Sequence, residues 1–176
     1  MILFHLLFIS ILSLNNMILF DFTKDADLSN WAIVDDVVMG GRSDGHFEIN
    51  SDGNGVFHGE VSLENNGGFS SVRYRCDQKN VAAFSTMTIR LKGDGKRYQF
   101  RIKPDKYDRH SYIYHFETGT DWQTIEIPLA DMTPAFRGRQ LDMPNYAGEV
   151  LEEIAILISN KIAEPFRLEI DAITLK

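Results

Sequence analysis

Apolar and polar positions alternate with a period of two in short runs along most of the chain, and the runs are rich in Val, Ile, Phe, Tyr and Thr. Such runs, separated by turn residues, predict β-strands with one buried face. They fall near 18–22, 31–34, 46–50, 55–63, 68–75, 84–92, 96–103, 111–117, 122–129, 152–159 and 165–175. Helical periodicity is scarce. The expected class is therefore all-β, a single jelly-roll-like β-sandwich. One long piece carries no strand signal, 130–150, with Pro134, Pro144, Arg137 and Arg139. A connection of that length suits a binding loop.

Two registers follow from the alternation. Asp94-Gly95 is a two-residue turn signal. A hairpin there pairs Leu91 with Tyr98, Ile89 with Phe100 and Met87 with Ile102, all apolar. A second hairpin through 118–121 sets Tyr114 opposite Ile125 and Tyr112 opposite Ile127. Near the C-terminus the alternation Phe166, Leu168, Ile170 resumes out of phase at Ile173 and Leu175, which predicts a bulge near Asp171 and Ala172.

Two glycine-centred blocks interrupt this pattern, Asp36 to Ser43 (DVVMGGRS) and Ser62 to Arg73 (SLENNGGFSSVR). Neither has the Lys-Ser/Thr and following helix of a phosphate loop, so the glycines shape backbone. In the second block Asn65, Asn66, Gly67 and Gly68 suit a tight hairpin connection. In the first, apolar Val37, Val38 and Met39 run into Gly40, Gly41 and Arg42, as in a loop pressed against something.

These blocks, with Trp31 before them, GDGKRY at 93–98, FRGR at 136–139 and PFRLEI at 165–170 after them, resemble the complex I intermediate-associated protein 30 family over residues 18–175. The resemblance implies a galactose-binding-like sandwich, no catalytic residues, and a role as an assembly factor or chaperone for respiratory complex I.

Composition narrows the classes further. A chain of 176 residues suits one domain, 17–176. A net charge of −7 disfavours general nucleic-acid binding. The single cysteine, Cys76, excludes an internal disulfide framework. Residues 1–16 are nearly all apolar but lack a preceding Lys or Arg and a small-residue cleavage site. Met17 repeats the opening MILF, so the expected start is Met17. The alternatives are a divergent signal or anchor and an ordered part of the fold. A cytoplasmic location is expected, with membrane association left open and export as the alternative if 1–16 acts as a signal.

The hairpin register has a chemical consequence. It places Lys92 opposite Arg97, Arg90 opposite Gln99, Thr88 opposite Arg101 and Thr86 opposite Lys103, a cationic face without an acid, extended by Arg73 and Arg75. Like charges across a sheet are unfavourable. Such a face either meets an acidic partner or a polyol, or is neutralised by neighbouring acids such as Glu126. The histidines lack metal-ligand spacing, and His115 is read as a satisfied sheet histidine. Asp21, Glu169 and Asp171, on the first and last strands, suit a structural calcium or simply face solvent. No carboxylate pair is selected for glycoside hydrolysis. Tyr112 and Tyr114 read as packing, while Tyr107 and Tyr146 are loop aromatics open to sugar stacking.

The expected activity is non-catalytic binding of a protein partner, with no cofactor and no metal. The partner-binding set is Met39, Arg42, Arg73, Arg90, Gln99, Arg101, Arg137 and Arg139. Met39 supplies an adaptable apolar contact and the arginines hold carboxylates or carbonyls. Internal loop bonds are the alternative role for Arg42 and Arg137. A carbohydrate-binding module is the alternative function, and a saccharide hydrolase the third.

Overall fold

The computed structural model describes residues 16–176, with the side chain of Val38 excepted. The expectation for 1–16, including the start at Met17, therefore falls essentially outside the described residues. Strands occupy Met17–Asp21 (β1), Trp31–Asp35 (β2), Asp44–Ile49 (β3), Gly55–Val61 (β4), Ser70–Asn80 (β5), Thr86–Lys92 (β6), Arg97–Lys103 (β7), Ser111–Glu117 (β8), Trp122–Pro128 (β9), Thr133–Phe136 (β10), Arg139–Gln140 (β11), Val150–Ile158 (β12) and Glu164–Leu175 (β13). Each run predicted from alternation is a strand. β10 and β11 are additional and lie inside the stretch expected to be irregular.

The strands form two antiparallel sheets. In the first, the order is β3-β4-β13-β6-β9. The long β13 also pairs with β1 beyond the end of β4. The predicted bulge is present, as a register shift between Ile170 and Ala172. In the second sheet the order is β11-β10-β8-β7-β12-β5-β2.

The predicted hairpins are corrected by this topology. β6 lies in the first sheet between β13 and β9, and β7 in the second between β12 and β8. β8 and β9 are likewise in different sheets. So are β4 and β5, which makes the Asn65–Gly68 connection a crossing between sheets rather than a hairpin. Strand parity itself is as expected. Met87, Ile89 and Leu91 from one sheet and Tyr98, Phe100 and Ile102 from the other are fully buried in the same core. They face one another across the sandwich instead of lying side by side, as two packed sheets require. Gly95 does take positive φ, +81°, in the turn that carries the chain from one sheet to the other.

The inter-sheet turn is tied from within. Asp94 Oδ2 accepts hydrogen bonds from the buried Tyr98 hydroxyl at 3.1 Å, from Lys96 Nζ at 3.0 Å and from Arg167 N at 2.9 Å. At one end of the core Phe20, Phe22, Trp31, Phe47 and Tyr74 pack edge-on and tilted with centroids 4.6–5.8 Å apart, and Tyr112 and Tyr114 pack against the core as expected.

Candidate functional site

The central strand of the second sheet, β12, is buried on both faces. Ile154, Ile156 and Ile158 point into the sandwich, while Glu153, Ala155 and Leu157 on the opposite face are each under 5% exposed. Strands β5, β7, β8 and β10 curve around that outer face and enclose a cleft of about 650 Å³. Its floor comprises Ser71 and Arg73 of β5, Gln99, Arg101 and Lys103 of β7, and Ile113 and His115 of β8.

One rim is built by the two glycine blocks. Asp36 is fully buried and gathers both. Its Oδ1 accepts from Ser43 N at 2.9 Å, and its Oδ2 accepts from Ser43 Oγ at 2.5 Å, Gly68 N at 2.5 Å and Phe69 N at 3.2 Å. Glycine is required at this knot. A Cβ on Gly41 would stand 2.3 Å from Asp36 Oδ1, and one on Gly67 2.5 Å from Oδ2. Burial alone raises the Asp36 pKa, but the hydrogen bonds from Ser43, Gly68 and Phe69 outweigh it and hold the carboxyl below its ordinary value. The first block is thus pressed against the second. The result holds Met39, 61% exposed, and Phe69 at the mouth of the cleft.

The opposite rim is the β10–β11 hairpin. Arg137 and Gly138, at φ +50° and +75°, form its two-residue turn between the paired Phe136 and Arg139. The Arg109 and Arg137 guanidinium carbons lie 5.0 and 5.4 Å from the Phe136 ring centroid, within cation–π range.

The floor is cationic with one acid. Glu153 lies 2.7 Å from Arg75 Nε and 4.0 Å from Lys103 Nζ. The expectation of an acid-free stripe is corrected accordingly. Arg101 donates to Gln99 Oε1 from Nε at 3.1 Å and Nη2 at 2.6 Å, and has no ion pair among the described residues. Burial, with the charge of Arg73 adding to it, pulls the Arg101 pKa down to about 10. Arg73 is lowered by burial too, against the pull of Glu153. His115 is exposed rather than enclosed in the sheet, and burial of part of its ring with Arg97 and Arg101 nearby lowers its pKa.

Of the residues singled out in the sequence, Met39, Arg73, Gln99, Arg101 and Arg137 line this cleft. The others do not. Arg90 sits on the first sheet, 2.9 Å from Asp171 and over the Trp122 ring at 5.3 Å, because β6 and β7 are not paired. Arg42 forms an exposed pair with Glu64 at 3.2 Å, joining the two glycine blocks from outside. Arg139 is exposed on β11. Arg109 and Phe136 were missed, although the near-continuous apolar run of Val150–Ile158 carries the signal of a strand covered on both faces.

Two of the three acids considered for calcium have other partners. β1 and β13 are neighbours, but Asp171 pairs with Arg90, and Glu169 with Arg167 at 3.2 Å. Among the described residues no group of three His, Cys, Asp or Glu is placed to hold a metal ion. Nor is any helix among them long and apolar enough to cross a membrane. Tyr146 is buried, its hydroxyl donating to Val150 O, whereas Tyr107 is 81% exposed but outside the cleft.

Two packed antiparallel sheets with a cleft on the outer face of one define a jelly-roll sandwich of the kind found in carbohydrate-binding modules. The family 11 module of the Clostridium thermocellum cellulase Lic26A-Cel5E has the same fold, with a TM-score of 0.68 at 15% identity, over 92% of this chain and 94% of the module. Within the agarase AgWH50C the corresponding part is 24% of that chain, with a TM-score of 0.59 at 12% identity and 92% of this chain covered. By sequence the chain belongs to the complex I intermediate-associated protein 30 (CIA30) family, whose profile matches residues 20–170. It is 24% identical to mouse complex I intermediate-associated protein 30, mitochondrial, over 89% of this chain and 55% of the mouse protein. Against the Drosophila melanogaster protein of that name it is 23% identical, over 90% of this chain and 62% of the relative. The chain thus spans somewhat over half the length of these curated relatives.

Proposed function

We propose that this protein is a non-catalytic assembly factor that binds subunits or assembly intermediates of a respiratory complex through the cleft on its second sheet. The observation that carries this reading is the cleft itself: half-buried Arg73 and Arg101 on the floor, flanked by Met39 on one rim and Phe136 on the other. An apolar rim around guanidinium groups that form no ion pair among the described residues fits a peptide segment that brings both acidic and apolar side chains. Membership of a family named for complex I intermediates supports the choice of partner. The matched relatives are named as mitochondrial. The same naming favours a site of action where the complex is assembled over a general cytoplasmic one.

The saccharide reading draws support from the shared fold with carbohydrate-binding modules, but among the described residues the aromatic rings lining this cleft are those of Phe69, Phe136 and His115. Trp31 is in the core, Trp122 is on the other sheet under Arg90, and among the described residues no Trp or Tyr lines the cleft. The test is affinity capture of the tagged full chain from native lysate with mass spectrometry, at low and high salt. Recovery of respiratory-complex subunits with wild type, and their loss with Arg101→Glu, is expected. Recovery unchanged by Arg101→Glu would remove the cleft from the interaction, and a specific glycan hit abolished by that variant would replace the protein partner with a saccharide.

A further inference from the structure

Residues standing side by side in register across the second sheet form rows on the outer face. One row runs Arg75, Glu153, Lys103 across β5, β12 and β7. Its middle member is a carboxylate, 2% exposed, hydrogen-bonded to Arg75 and in an ion pair with Lys103 on the other side. Two residues further along each strand, on the same face, the next row runs Arg73, Ala155, Arg101. The flanking cations repeat, and the middle member is a methyl group.

The spacing between those cations suits an oxyanion. Neighbouring strands are about 4.8 Å apart, so the Arg73 and Arg101 backbones stand roughly 10 Å apart across β12, within reach of a shared anion for two long side chains. The Ala155 side chain is short and lines the cleft between the two arginines. Gln99 holds the Arg101 guanidinium by a fork of two hydrogen bonds, so the group is fixed before any ligand arrives. Among the described residues neither Arg73 nor Arg101 forms an ion pair, although both are half-buried. Two like charges held this way are relieved by one negative charge between them.

We infer that Arg73 and Arg101, straddling Ala155, form an oxyanion site that takes one carboxylate from an acidic side chain of a protein partner. The ligand carboxylate occupies, in its row, the position that Glu153 occupies between Arg75 and Lys103. This rests on the protein-binding reading for its source of carboxylate. The next row supplies the template for charge and shape, since there the chain itself solves the same problem with one carboxylate rather than a doubly charged phosphate. Met39 and Phe136 on the rims then contact the partner's apolar side chains on either side of the anchored acid.

The test is fluorescence anisotropy with a fluorescein-labelled hexaglutamate peptide, a hexaglutamine control and constant ionic strength, with acetate and inorganic phosphate as competitors. Thermal melts check that each variant is folded. Hexaglutamate is expected to bind the wild type and not to be matched by hexaglutamine. Binding should fall about tenfold or more in Arg73→Gln and in Arg101→Gln, as loss of a charge-assisted bidentate contact requires. Ala155→Glu should abolish it while holding or raising the melting temperature, because the new carboxylate satisfies the two arginines internally. Arg90→Gln, on the other sheet, should bind as wild type. Undiminished binding by folded Ala155→Glu or Arg101→Gln overturns the site, as does equal binding of hexaglutamine. Competition by phosphate well below the effective acetate concentration overturns the carboxylate assignment. Capture of respiratory subunits that survives Ala155→Glu leaves the protein-binding reading standing and removes this site from it. Hexaglutamate binding without any such capture does the reverse.

Discussion

Replacing Asp36 tests how the glycine blocks build the cleft. Asp36 Oδ1 faces one backbone donor, Ser43 N–H, and Oδ2 faces Gly68 N–H, Phe69 N–H and the Ser43 hydroxyl. In Asp36→Asn one of those oxygens becomes an NH₂ group, so at least one buried N–H is left facing a donor, at about 1–3 kcal/mol. The remaining bonds lose their charge assistance, adding about 1 kcal/mol. A total near 2–4 kcal/mol is expected, and somewhat more for Asp36→Ala. For a chain of this size that lowers the melting temperature by about 5–15 °C. Asp44→Asn is the control, because Asp44 is exposed and bonds only His46; its effect should stay within about 0.5 kcal/mol. Thermal or urea unfolding of both variants decides the matter. An Asp36→Asn protein that melts with the wild type would show that the carboxylate does not tie the blocks together, and that Gly41 and Gly67 need another explanation.

The Asp36 pKa is held below the unfolded-state value, so its contribution is present above about pH 4 and lost as pH falls through the folded pKa; the stability difference between wild type and Asp36→Asn should narrow over that acidic range, and a difference that widens contradicts the assignment. Gly95→Val should cost about 1–3 kcal/mol from backbone strain alone, since φ is +81° and no heavy atom lies within 4 Å of the added Cβ; an unchanged denaturation midpoint would refute it. Glu153→Ala removes the acid paired with Lys103, whose side chain is only 14% exposed and stands beside Arg73 and Arg75, and leaves Asp108 as its remaining counter-charge; it should destabilise by about 2–4 kcal/mol in chemical denaturation, whereas a neutral result would mean that Asp108 and water serve the lysine equally well.

Strand positions were legible because alternation reports which side chains face inward, and Met87, Ile89 and Leu91 do so as expected. Pairing was not legible in the same way. Two strands joined by a short turn have the same inward parity whether they lie side by side or face each other across a core, so Asp94-Gly95 was consistent with a hairpin and is in fact a crossing between sheets. That difference moved Arg90 and Lys92 to the opposite side of the molecule from Arg101. β10 was hidden by Pro134, which argues against a strand. It is tolerated here because the β11 ladder ends at Ala135 and Gln140, and beyond it Pro134 contributes only its carbonyl, which accepts from Leu141 N at 2.9 Å. The cationic rows of the cleft floor were beyond the reach of local pattern. Arg73, Ala155 and Arg101 come from strands distant in sequence, and their juxtaposition depends on a strand order that alternation does not encode. By contrast, the glycine blocks were correctly read as shaping backbone, and what escaped was the buried Asp36 that both blocks surround.

The most direct measurement of where the proposed partner binds is amide hydrogen exchange on the protein alone and in complex with whichever protein the affinity capture recovers. Binding in the cleft predicts added protection on the amides of Phe69–Arg73, Gln99–Lys103, Ser111–His115 and Thr133–Gln140, with β3, β4, β6 and β9 unchanged. Protection confined to that first sheet, with the cleft strands exchanging as in the free protein, would contradict it.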